Sequence, residues 1–109
     1  MDGLRGVWHG GPFVHEPRFR FYPKQMKFGT DPVAVDRFLL DVIEAKRKQE
    51  GAISVWDRDL KYITTNRSNW ETNPNYNLFI REPGHIEYAS KLGLGVYDVA
   101  KIHHTELTI

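Results

Sequence analysis

The string Thr30-Asp31-Pro32-Val33-Ala34-Val35-Asp36 places two carboxylates within seven residues at the entry to a helix-like segment. A helix N-terminus that follows a strand offers free amides to an anion, and an aspartate in the capping position competes for the same amides. Asp31 is that cap. With Val33 set at zero on a helical wheel, Asp36 falls at about 300°, beside Ile43 at about 280°, on the margin of the apolar stripe. A carboxylate there must find a cation, a donor or a metal to offset its desolvation. Two roles fit it: a structural acid bonded to a nearby backbone loop, or a ligand-binding or catalytic group.

His9, His15 and Glu16, with the adjacent His103 and His104, supply nitrogen and oxygen donors of the kind that hold zinc. Neighbouring strand residues point to opposite faces, so His103 and His104 cannot both face one ion without distortion. None of the short ligand-spacing motifs is present. His9-Gly10-Gly11 is similar to the glycine-rich oxyanion segments of some hydrolases, but Ser54, Ser68 and Ser90 all lack the Gly-x-Ser-x-Gly elbow that would expose a nucleophile. Arg18-Phe19-Arg20-Phe21-Tyr22-Pro23-Lys24 interleaves cations with aromatics, a pattern of single-stranded nucleic-acid grooves and equally of amphipathic edge strands. Asn66-Arg67-Ser68 matches a glycosylation sequon, a triplet frequent by chance.

Composition bounds these readings. The 109 residues suit a single domain, and the absence of cysteine excludes disulfides, thiolate metal sites and a cysteine nucleophile within them. A formal net charge of +1 argues against a nucleic-acid partner and against a polybasic membrane patch. No apolar run approaches the about 20 residues needed to cross a bilayer. Aromatics make up 13% of the chain, including Trp8, Trp56 and Trp70, and such side chains enlarge small cores or mark interfaces.

The elements that must position the candidate residues follow from periodicity. Asp31 as cap, Pro32 at the first helical position and Gly51 as a left-handed stop predict a helix between them. Its apolar stripe is Val35, Phe38, Leu39, Val42 and Ala45, opposite a wet face of Arg37, Asp41, Glu44 and Lys48. Alternation predicts strands over 25–29, 52–56, 61–64 and 77–81, with a hairpin across Asp57-Arg58-Asp59 and an exposed loop over 65–76. Pro83 and Gly84 start a second helix with Ile86, Ala89 and Leu92 on one face, ended by Gly93 and Gly95. A further helical turn is expected over 97–102 and a final strand over 105–109, while the first 24 residues, rich in glycine and proline, read as a long loop.

Three ordered strings carry a resemblance. The Thr30-to-Asp36 string resembles the strand-to-helix motif of the domain of unknown function 362 family. Asp2-Gly3 followed by Gly10-Gly11-Pro12 is similar to that family's Asp-Gly and glycine-rich segment, and Tyr88-Ala89 to Leu92-Gly93-Leu94-Gly95-Val96-Tyr97-Asp98 resembles its closing helix and Leu-Gly-Leu-Gly turn. Members of the family are typically much longer, many with export signals or ferredoxin segments, so the resemblance implies the C-terminal portion of a longer protein, with 52–81 as an insertion. It carries no established reaction, and it marks Asp2, Gly10, Gly11, Asp31 and Asp36 as the positions to watch.

The expected fold is α+β: a mixed sheet of about four or five strands with two main helices packed on one face. The expected function is a ligand- or metal-binding module of a larger protein, its site gathering Asp2, Gly10, Gly11, Thr30, Asp31 and Asp36. The alternative is a structural or interaction domain that packs its aromatics against the rest of a longer parent chain or another copy in a homo-oligomer.

Overall fold

Helix α1, Pro32–Gln49, forms where the capping residues place it. The Asp31 carboxylate accepts the Ala34 amide at 3.0 Å, Pro32 opens the first turn, and Lys46, Arg47 and Lys48 occupy the last turn at the negative end of the dipole. At the far end the Gly51 amide donates to the Lys48 carbonyl and the Ala52 amide to the Arg47 carbonyl, a Schellman stop that requires the positive φ of +68° at Gly51.

This computed structural model describes residues 2–11 and 16–109, with Asp2 described in its backbone only. Four strands of two residues each make two small antiparallel sheets. β1 (Asp2–Gly3) pairs with β4 (Gln25–Met26), and β2 (Gly6–Val7) pairs with β3 (Arg20–Phe21). Gly6 is needed here, since a Cβ on it would lie 2.8 Å from the Phe21 ring. After α1 come the short helix α2 (Arg67–Thr72) and helix α3 (Gly84–Lys91), which packs on α1. The principal core joins Trp8, Phe19 and Trp70, backed by Phe21, Ala52, Tyr76 and Leu78.

The expected mixed sheet of four or five strands with two helices on one face is therefore wrong, and the reason lies in who takes the backbone groups. Over 52–56 side chains take them: Arg47 Nε donates to the Ile53 carbonyl, Asn75 accepts the Ile53 amide and Glu44 accepts the Val55 amide at 2.7 Å. No ladder is left to form. The Asp57-Arg58-Asp59 segment builds successive side-chain turns, Asp57 accepting the Asp59 amide and Asp59 the Lys61 amide. These start a 3-10 turn at Leu60–Tyr62 instead of a hairpin. Only a single parallel bridge, Ile63 to Asn77, survives from two of the expected strands, and Phe79 and Ile80 are exposed. Residues 105–109 are likewise not a strand, and Leu107 and Ile109 face solvent.

Two loop expectations also change. The first 24 residues contain three of the four strands, and the polar 65–76 stretch contains α2, whose Trp70 is buried. Tryptophan burial overrode the polar composition around it. The turn expected over 97–102 is present as a 3-10 turn at Val99–Lys101, capped by Asp98.

Candidate functional site

Two polar centres sit at opposite ends of α1. At the C-terminal end, Arg47 is 1% exposed although it lies in the last turn of the helix. Its guanidinium donates to three carbonyls from three loops: Nε to Ile53 at 2.7 Å, Nη1 to Trp8 at 3.2 Å and Nη2 to Pro74 at 2.7 Å. Arg81 donates to the Pro74 and Tyr76 carbonyls, both at 3.2 Å, and its buried Nε has no partner among the described residues. Burial pushes the Arg47 guanidinium down to about 10, with the nearby Arg81 charge adding to the effect. Both remain cations at neutral pH. Their work is to satisfy loop carbonyls that no sheet satisfies.

His9 completes this centre. It is 3% exposed, meets the Trp70 carbonyl through Nε2 at 2.5 Å and lies edge-on to Phe19 with ring centres 4.7 Å apart. Trp8 stands edge-on to Phe19 at 5.0 Å and donates its indole N–H to the Arg18 carbonyl. Burial pushes the His9 ring down to about 4, only partly offset by the Trp70 bond and reinforced by Arg81, Arg47 and Arg18.

At the N-terminal end both oxygens of Asp31 are engaged, Oδ1 by the Ala34 amide at 3.0 Å and Oδ2 by the Val96 amide at 2.8 Å. Those two amides hold the carboxyl below its usual range. Gly95 makes the approach feasible, since a Cβ there would lie 2.0 Å from Asp31 Oδ1 and 2.8 Å from Val33 Cβ. The Thr-Asp-Pro and Leu-Gly-Leu-Gly strings thus meet in space.

The described residues of the expected ligand site lie at two ends of α1. Asp36 is exposed and makes no hydrogen bond or ion pair with the described residues, so the partner its wheel position called for is not there. Thr30 is exposed. Gly10 takes a positive φ of 69° and Gly11 packs near Val7, both just beyond Trp8 and hence beside Arg47. At 1.5 Å per residue, α1 separates Asp31 from Arg47 by roughly 24 Å along its axis. The glycine pair and the two aspartates therefore belong to different ends of the molecule. The Asp2 backbone pairs with Met26. Pro12 and His15 lie outside the described residues.

Among the described residues no group of three His, Cys, Asp or Glu side chains is placed to hold a metal ion. His9 is turned to Trp70, while His104 stacks on Phe38 at 4.4 Å. The cation and aromatic run is dismantled too: Arg18 bonds the Thr72 carbonyl, and Phe19 is buried beneath it. Among the described residues no helix is long and apolar enough to cross a membrane.

Sequence reasoning does not single out Arg47 or Arg81 as site residues, and it reads Gly95 as a helix stop and part of the Leu-Gly-Leu-Gly string, not as the partner of Asp31. A signal for the first existed: Val33, Leu40 and Arg47 recur at spacing seven, only about 20° short of two full turns, so all three share one line of α1. Comparison with known proteins finds no matching family model, no matching curated protein and no matching solved structure.

Proposed function

We propose that the chain is a structural or interaction module, one that completes its own burial against a partner: the rest of a longer parent chain or another copy. The observation that carries this reading is surface area. The chain exposes 7829 Å², whereas an average folded monomer of its 12.7 kDa mass exposes about 6,200 Å². The difference is about twice what one partner contributes to a standard interface. The radius of gyration, 14.8 Å, also exceeds the about 13 Å expected for this length.

Apolar exposure concentrates where α3 ends. Tyr88 and Leu92 lie four residues apart on one helix face, and Leu92 and Leu94 are 59% and 61% exposed, followed by Val96 and Val99. Asp31 anchors this segment through Val96, so the residues stand on a fixed base. An apolar run of this kind on a rigid support is a surface built for protein contact. The domain of unknown function 362 resemblance remains part of this reading, supported by the contact between the Thr30-to-Asp36 string and the Leu-Gly-Leu-Gly string.

Dye binding tests it. The folded chain should enhance the fluorescence of an anilinonaphthalene sulfonate well above that of a compact monomer such as lysozyme. A Leu92→Lys, Leu94→Lys double variant should lose most of the enhancement at unchanged melting temperature. Weak dye binding by the unaltered chain, or full enhancement in the double variant, would count against the interface.

A further inference from the structure

The ring of His9 is buried. Its Nε2 faces a carbonyl, which can only accept, so Nε2 carries the proton and Nδ1 is left as a bare lone pair. Nδ1 is buried and has no partner among the described residues. Among the described residues the charged groups that act on the ring are cations: Arg18 from the 3-10 turn Pro17–Phe19, Arg47 from α1 and Arg81 from the segment leading to α3. Helix α2 contributes the Trp70 carbonyl, while Glu71 beside it is engaged by Arg67.

We propose that His9 is an acid-sensitive latch, whose protonation releases the segment Asp2–Gly11 from the core formed by Phe19 and Trp70. A proton on Nδ1 would create a buried donor with no acceptor among the described residues and add a positive charge beside Arg18, Arg47 and Arg81. The ring relieves both penalties by moving to water. The segment is held by two-residue ladders, the Trp8 bonds to Phe19 and Arg18, the Arg47 bond to the Trp8 carbonyl and the burial of the Trp8 ring, and protonation of His9 lowers the cost of giving these up.

The pH window follows from the sign of the shift. The folded ring sits at about 4 against 6.5 for the free side chain, so the released form takes up the proton first as pH falls. The closed state is fully favoured above about 6.5 and is weakened progressively down to about 4. The separation sets a ceiling of roughly 300-fold on the opening equilibrium.

Amide hydrogen exchange on the whole chain at pH 7 and pH 4.5, corrected for intrinsic rates, reads the latch directly. Protection of the Trp8 amide should fall by between tenfold and about 100-fold, within the ceiling above, while amides in the middle of α1 keep more of theirs. A His9→Gln variant keeps a donor towards Trp70 and cannot take a proton, so its Trp8 protection should be level across the range. Parallel loss in both chains, or unchanged protection in the unaltered one, would overturn the assignment. Should His9→Gln fail to fold, the His9 ring resonances of the unaltered chain decide instead: a ring that stays neutral until Trp8 opens supports the latch, and one that charges near 6.5 with Trp8 still protected refutes it.

Discussion

Asp31 and Val96 are joined across 65 positions of sequence by a single bond, in which the Val96 amide donates to Asp31 Oδ2 at 2.8 Å. The other oxygen of the same carboxylate caps α1 through Ala34. One side chain therefore starts a helix and fixes the place where the chain returns after α3. An aspartate that reads as a ligand from its motif is, in the fold, a clamp with both oxygens spent.

Gly95 is the hidden half of that clamp. Since a Cβ there would lie 2.0 Å from Asp31 Oδ1 and 2.8 Å from Val33 Cβ, Gly95→Ala should push the turn off α1 and cost about 1–3 kcal/mol. Urea unfolding monitored by circular dichroism would show it as a lower midpoint at an unchanged slope. At Gly84, where an added Cβ meets nothing within 4 Å, the same substitution should leave the midpoint close to its original value.

Asp31 also sets a response to acid. Its carboxyl is held below the ordinary 3.8 by amides that favour the charged form, so its stabilising contribution is complete above that value and is lost as pH falls through the lowered one. Asp31→Asn should unfold more readily than the unaltered chain at pH 7, and the gap should close at the acid end. Melting curves at pH 7, 4 and 2.5 check this. A gap that stays constant over the three would show that the charge on Asp31 is immaterial.

The stop of α1 gives a sharper test of local chemistry. Gly51 holds a φ of +68° with open space around its α-carbon, so an added methyl meets no neighbour and only the backbone conformation resists it. Gly51→Ala should therefore destabilise by about 1 kcal/mol, and Gly51→Asn by less, because asparagine tolerates the left-handed region better. Equal losses in both variants would mean that the strain lies elsewhere.

The legible parts of the sequence are those governed by local rules. Asp31, Pro32 and Gly51 bound α1 because capping and left-handed stops act within a few residues. Pro83 and Gly84 open α3 for the same reason. What was not legible depends on partners far away in sequence. Ile53 alternates like a strand residue, but its amide and carbonyl go to Asn75 and Arg47, and no local pattern announces that. Asp36 lies on the flank of the stripe, yet it reaches water, and Leu39, Leu40 and Ile43 farther along that flank are only half-buried. Trp70 reads as a core or interface candidate by its type, but the polar residues around it predict an exposed loop and conceal α2. His9 was visible as a donor, and its burial was not, since that requires Phe19 and Trp70 to close over it.

Arg47 offers the strongest test of the claim that side chains replace a sheet in this fold. Its three donors reach the carbonyls of Trp8, Ile53 and Pro74, drawing together the N-terminal segment, the exit from α1 and the turn after α2. Arg47→Met would keep most of the volume and leave three acceptors without this donor, one buried and two partly buried, a fully buried one costing about 1–3 kcal/mol when orphaned. Partial hydration of the opened loops brings the expected loss to about 3–5 kcal/mol, enough to unfold a marginal domain at room temperature. Arg47→Lys retains the charge but not the planar fork, so it can serve at most part of the set and should fall between the two. Chemical denaturation of all three chains checks the order, with exchange of the Ala52 and Trp8 amides showing which loops open first. If Arg47→Met were as stable as the unaltered chain, the guanidinium would be incidental, and the organisation of 52–56 by side chains would have to be abandoned.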